Sequence, residues 1–119
     1  MSKTLVLGAS LKSDRYSNMA IHDLIAAKEE VYGVGLKKGE VEGIKITNEL
    51  FPIDNLDTIT LYVGAKNQQI YYDYIIELHP KRVIFNPGTR NKELEDILNN
   101  NKIAFEHACT LVLLKTGQY

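Results

Sequence analysis

LVLGASLKSDRYSN, residues 5–18, decides how the rest of the chain is read. Apolar Thr4 to Leu7 make a short run that ends on Gly8, the mark of a strand buried on both faces. A polar loop follows, and then Met19, Ala20, Ile21, Leu24 and Ile25 recur at helical spacing. Strand, glycine, loop and helix form the turn at which α/β proteins hold phosphates: glycine lets the backbone bend, and the helix N-terminus offers free N–H groups. The dinucleotide fingerprint has three glycines here. This loop has Gly8 alone, and adds Lys12 and Arg15. Ser17 is expected to cap the helix, its hydroxyl accepting from a free N–H.

Downstream, the pattern alternates. Residues 31–36 read as a second strand, and KKGEVEG (37–43) as a polar turn into a short strand at 44–47. NELFPIDNLDT (48–58) is a connection with room for one helical turn. TITLYV (58–63) is rich in β-branched and aromatic residues and reads as a strand. A helix is expected from about Gln68 to Leu78, with Ile70, Tyr71, Tyr74, Ile75 and Leu78 inward and Pro80 ending it. Residues 83–85 form the next strand. Asn91 caps a helix whose first turn carries Glu93, Glu95 and Asp96, and residues 103–105 are the last strand. Residues 109–114 close the chain in a form the pattern leaves open. Alternating units of this kind imply a Rossmann-like, doubly wound parallel sheet in three α/β/α layers. The expected strand order is 3-2-1-4-5-6, with the short strand at one edge.

The totals narrow the function. The 119 residues make one domain, and 45% hydrophobic with 24% charged residues fits a water-exposed globule. A net charge of -1 gives no global basic field for nucleic acid. One cysteine, Cys109, permits neither an internal disulfide nor a cysteine-rich metal site. No signal pattern or membrane-length apolar run occurs, so the chain reads as cytoplasmic with no membrane partner.

In a doubly wound sheet the ligand lies beyond the C-terminal strand ends, where the strand order reverses. The candidate contacts fall on three loops and one wall. The first loop gives Gly8, Ala9, Ser10, Lys12, Arg15, Tyr16, Ser17 and Asn18. The second gives Val63, Gly64 and Lys66, and the third Asn86, Pro87, Gly88 and Thr89. The wall is Gly35, Leu36 and Lys37. An NAD site places a carboxylate at the end of the second strand for the ribose hydroxyls. Here Leu36, Lys37 and Lys38 stand there, which suits a phosphorylated ribose: NADP or coenzyme A. Catalytic residues are not expected. His22 and His79 read as solvated or structural, and so does His107, which is nearer the ligand edge. Tyrosines default to packing, with Tyr72 and the apolar tail leaving a homodimer or another protein partner open.

VLGAS…RYSNMA, TLYV, FNPGTRN and ACTLVLLKTGQY together resemble the small single-domain CoA-binding proteins. These are similar to the CoA-binding N-terminal domain of succinyl-CoA synthetase α-subunits. The resemblance covers essentially the whole chain. It implies a Rossmann-like fold in which Gly8, Ala9 and Ser10 bind the CoA phosphates with Lys12 and Arg15. It further implies that the segment after the second strand lines the adenosine end. Relatives often carry a basic pair after the fourth strand, where this chain has Gly64, Ala65 and Lys66. They also tend to carry a cysteine matching Cys109, which is read as a small packed residue or, more sharply, as a partner of the CoA thiol. The expected function is binding of CoA or an acyl-CoA by a non-catalytic or regulatory module. The alternatives are an NADP-using reductase and a scaffold subunit with a vestigial nucleotide site.

Overall fold

The computed structural model describes residues 2–119. Seven strands form one sheet: β1 (Lys3–Ala9), β2 (Glu30–Gly35), β3 (Gly39–Val41), β4 (Ile44–Thr47), β5 (Thr58–Leu61), β6 (Arg82–Phe85) and β7 (Ala104–His107). Their spatial order is β3-β4-β2-β1-β5-β6-β7, parallel throughout except for β3. Four helices cover it: α1 (Tyr16–Ala26), α2 (Tyr72–Leu78), α3 (Lys92–Asn100) and α4 (Thr110–Lys115).

Six strands stand in the expected order. The difference is β3, which KKGEVEG was not expected to form. It pairs antiparallel with β4, Val41 opposite Ile44, across a turn in which Glu42 and Gly43 both take positive φ. Its apolar content is Val41 alone, so strand periodicity gave no signal. The pairing hides most of the backbone edge of the short β4.

Alternation sorts the core. Leu5 and Leu7 on β1, with Ile59 and Leu61 on β5, pack against Tyr74 and Ile75 of α2 and Leu94 and Leu98 of α3. Val6, one step out of phase, packs on the other face with Ile21 and Leu24 of α1 and Leu114 of α4. Covering both faces buries every residue from Thr4 to Leu7 and from Thr58 to Leu61, which is why these strands read as continuous runs.

Several ends differ from expectation. The helix after β5 starts with two 3-10 turns, Ala65–Asn67 and Gln69–Tyr71, before α2. Ile70, placed inward by the helical period, is therefore 72% exposed: the tighter turns rotate it off the stripe. Residues 48–57 contain no helical turn. Helix α2 ends at His79, which is left-handed (φ 44) and donates back to Ile75 and Ile76, immediately before Pro80. The closing segment is the helix α4 and a tail that returns Tyr119 to the sheet. There the Arg82 guanidinium sits 4.6 Å over the Tyr119 ring, and Thr4 and Tyr119 share a hydrogen bond between their hydroxyls. Tyr72 packs with the α2–α3 cluster and the tail with the one on the opposite face of the sheet.

Candidate functional site

Strand β1 lies between β2 and β5, so the order reverses there and the predicted loops meet at one edge. Gly8 lets the end of β1 bulge beside Tyr62 and Val63. Its φ is +95, it sits in a register shift between Leu7 and Ala9, and a Cβ on it would lie 2.9 Å from the Tyr62 carbonyl carbon. The first loop then leaves the sheet. Asn18, 3% exposed, donates to the Ser10 carbonyl at 2.9 Å, and Leu11 rests over Gly39.

Helix α1 starts unprotected. Its N-cap position is Arg15, no side chain caps it, and no acid stands in its first turn. The expected Ser17 cap is therefore replaced: Ser17 lies inside the first turn and is 4% exposed. Helix α3 shows the contrast. Asn91 caps it by accepting from the Glu93 N–H at 3.1 Å, and Glu93 and Glu95 answer its dipole. Around the open end of α1, Lys12, Arg15 and Tyr16 are exposed, and neither cation is in an ion pair among the described residues.

The wall beyond β2 divides. Gly35 is buried against Ala9, whereas Leu36 is 83% exposed and Lys37 is exposed and unpaired among the described residues. Lys38 reaches Glu49 at 3.7 Å, a surface pair of little strength.

On the opposite side the loops are bound to each other. Gln68, which the sequence reading left out of the site, is fully buried. It donates to the Val63 carbonyl at 2.8 Å and the Thr89 carbonyl at 2.7 Å, and accepts from Asn91 at 2.8 Å. No local pattern marks it: KNQQ reads as surface, and its partners lie in another loop. Asn86 is likewise occupied inside the protein. Its amide donates to Thr60 Oγ1 at 2.8 Å and the Leu61 carbonyl at 2.9 Å, and its oxygen accepts from the Thr110 N–H at 2.8 Å. Thr89 Oγ1 donates to the Asn86 carbonyl at 2.7 Å. The side chains of Asn86 and Thr89 therefore shape the loop, and Pro87, Gly88, Gly64 and Lys66 form its exposed crest, with Val63 half-buried below.

Cys109 is half-buried at the N-cap position of α4. Nearby, the Tyr62 hydroxyl is buried beside the Thr60 and Thr110 hydroxyls, which bond each other at 2.7 Å. Burial pushes its pKa up to about 12. His107 is held by Glu95 at 3.2 Å and stacked against Phe85 at 5.2 Å. His22 pairs with Glu42 at 2.8 Å, away from the edge. Among the described residues no cluster of metal-ligating side chains occurs, and no helix is long and apolar enough to cross a membrane.

The edge therefore combines backbone donors, cations that are in no ion pair among the described residues, and a bare leucine. Comparison with solved structures sharpens the class. A crystal structure of an uncharacterised protein is 50% identical over 100% of this chain and 98% of its own, with a TM-score of 0.96. A hypothetical protein from Pyrococcus horikoshii is 26% identical over 97% of this chain and 82% of its own, with a TM-score of 0.87. The dinucleotide-forming acetyl-coenzyme A synthetase of Candidatus Korarchaeum cryptofilum shares the fold. It has a TM-score of 0.74 at 17% identity, with 87% of this chain matched to 25% of that one. A search of curated proteins finds no match. The family model described as a CoA binding domain matches residues 2–115, nearly the full length over which the edge and its supports are built, and the chain belongs to that family.

Proposed function

We propose that this protein binds coenzyme A or an acyl-CoA along the C-terminal edge of its sheet, as a binding or regulatory module without catalysis of its own. The observation that carries the reading is the open N-terminus of α1, uncapped by any side chain and with no acid in its first turn, beside Lys12 and Arg15, which are unpaired among the described residues. A pyrophosphate placed there supplies the missing acceptors and the missing negative charge together. The Gly8 and Ala9 backbone and Ser10 would line that phosphate site. The adenosine end would run toward Gly35, where Leu36 offers a bare apolar surface to a base and Lys37 a free cation to the ribose phosphate. The pantetheine arm would cross the crest of Val63, Gly64, Lys66, Pro87 and Gly88 and bring its thiol toward Cys109. Each ligand part meets a surface of its own kind, which supports CoA over a shorter nucleotide.

A thermal-shift series with CoA, acetyl-CoA, NADP and NAD, followed by calorimetry, tests this. Stabilisation by CoA or acetyl-CoA and none by NAD is the expected result. Stabilisation by NADP alone would replace the reading with a reductase-type site, and no stabilisation by any of them would leave a vestigial nucleotide site.

A further inference from the structure

The connection from β4 to β5 crosses in front of α2 and leaves a groove of about 320 Å³ between them. Its lining is mixed: Leu50, Phe51, Ile53, Ile70 and Leu78 give apolar surface, and carboxylates and Tyr74 give polar surface. Tyr74 fixes the two sides together, its hydroxyl donating to the Phe51 carbonyl at 2.7 Å. Leu50 is 47% exposed and Ile70 is 72% exposed, so apolar surface stays open at the mouth. No residue of the candidate CoA edge lines this groove.

The rim carries one sign of charge. Asp54, Asp73 and Glu77 stand on it, all exposed, and no lysine or arginine lines it. None of these carboxylates is in an ion pair among the described residues; Lys3, the nearby cation, donates instead to the Asp54 backbone carbonyl at 2.8 Å. Two placements are unfavourable to the fold. Asp73 and Glu77 are four residues apart on α2, so like charges share one face of a seven-residue helix. Glu77 also lies in the last turn, where the helix dipole disfavours an anion. A cation brought to the rim would relieve both, while the apolar part of the lining, chiefly Leu50, Phe51 and Ile70, would accept a large side chain.

We propose that this groove docks a segment of a partner protein that presents a large apolar side chain flanked by lysine or arginine. The site is independent of the CoA edge and does not rest on that reading. Peptides selected from a random library against the full chain test it. Enriched peptides are expected to share an apolar residue with basic neighbours. A synthetic representative should shift the backbone amides of Ile53, Ile70 and Tyr74 in NMR. Its affinity should fall roughly tenfold or more for the double variant Asp73→Lys, Glu77→Lys and for Ile70→Ser. These side chains are exposed, and a thermal melt of each variant checks that the fold is kept. Failure to enrich peptides, enrichment without basic flanks, unchanged binding to the folded variants, or shifts confined to other surfaces would overturn the proposal. A concentration-dependent dimer of the chain alone, abolished by Ile70→Ser, would overturn it too and give the groove to a second copy.

Discussion

Gly35 touches Ala9 so closely that a Cβ on Gly35 would lie 2.1 Å from the Ala9 carbonyl oxygen. The obstacle is backbone at the end of the central strand, which no rotamer change can move. Gly35→Ala must therefore part β1 from β2 just below the loop that follows β1. A loss of about 1–3 kcal/mol is expected, the usual cost of overpacking. Urea unfolding measures it as a lowered midpoint at unchanged slope. Under the proposed function, CoA affinity in the folded variant should fall as well.

Arg15→Ala and Lys12→Ala should each weaken CoA binding roughly tenfold, the low end for an exposed charge-assisted hydrogen bond. Both changes should also flatten the dependence of affinity on salt, because screening acts on the charge removed. Calorimetry at two ionic strengths separates this from a general loss of fold. Wild-type affinity and salt dependence in both variants would count against the phosphate site.

Asn86 sits where three elements meet, so Asn86→Ala acts on stability. It leaves the Leu61 carbonyl and the Thr110 N–H without their side-chain partner in the interior. The expected cost is about 3 kcal/mol, as for buried groups left unpaired. Denaturant unfolding reads it directly. Hydrogen exchange should rise first at the start of α4, which Asn86 holds to β6.

Tyr62 gives a pH prediction. Its folded pKa, about 12, stands above the ordinary value of 10.0, so the folded protein keeps a proton that the unfolded chain releases. Its stabilising effect is whole below pH 10 and is lost as pH rises through 12. The slope is about 1.4 kcal/mol per pH unit for one proton. Burial raises Tyr119 and Tyr74 in the same sense, so wild-type stability should fall steeply on the alkaline side. Tyr62→Phe should reduce that slope. At neutral pH it should cost about 1 kcal/mol or less, as expected for a neutral hydroxyl beside Thr60 and Thr110. An unchanged alkaline slope in urea unfolding would contradict the assignment.

Cys109 tests the far end of the proposed ligand path. Incubation with CoA disulfide is expected to join the Cys109 sulfur to one CoA sulfur, breaking the ligand's S–S bond and releasing the other half as CoA thiol. Intact mass should rise by one CoA moiety, and Cys109→Ser should abolish the gain. No adduct on the wild type would place the thiol end elsewhere.

Much of this was legible along the chain, for reasons that differ by element. Buried parallel strands announce themselves by composition, so Leu5 to Leu7 and Thr58 to Leu61 were found, and with them the point where the order reverses. Asn91 was legible because a cap needs only local residue types. Ser17 failed on the same rule: the chain enters the helix early, at Tyr16, and an equally suitable residue type was passed over. Strand β3 carries too little apolar pattern to read, and its pairing with β4 is a tertiary fact. Gln68 and Asn86 were the harder cases. The internal bonds of both side chains went unread, because a buried amide is defined by partners in other segments, which residue type does not reveal.

The bonds of Gln68 have a consequence for how a ligand arrives. They join the Val63 and Thr89 loops into one block, fixed before any ligand is present. Across the edge, the segment from Leu11 to Arg15 is exposed throughout, and its bonds are local: Lys12 N–H to Ser10 Oγ, Arg15 N–H to the Lys12 carbonyl and Asn18 to the Ser10 carbonyl, with Leu11 resting on Gly39. One jaw is an anvil and the other a finger. Under the proposed function, the entropy lost on capture would fall mainly on that loop, and the association rate would follow how often it is already in place.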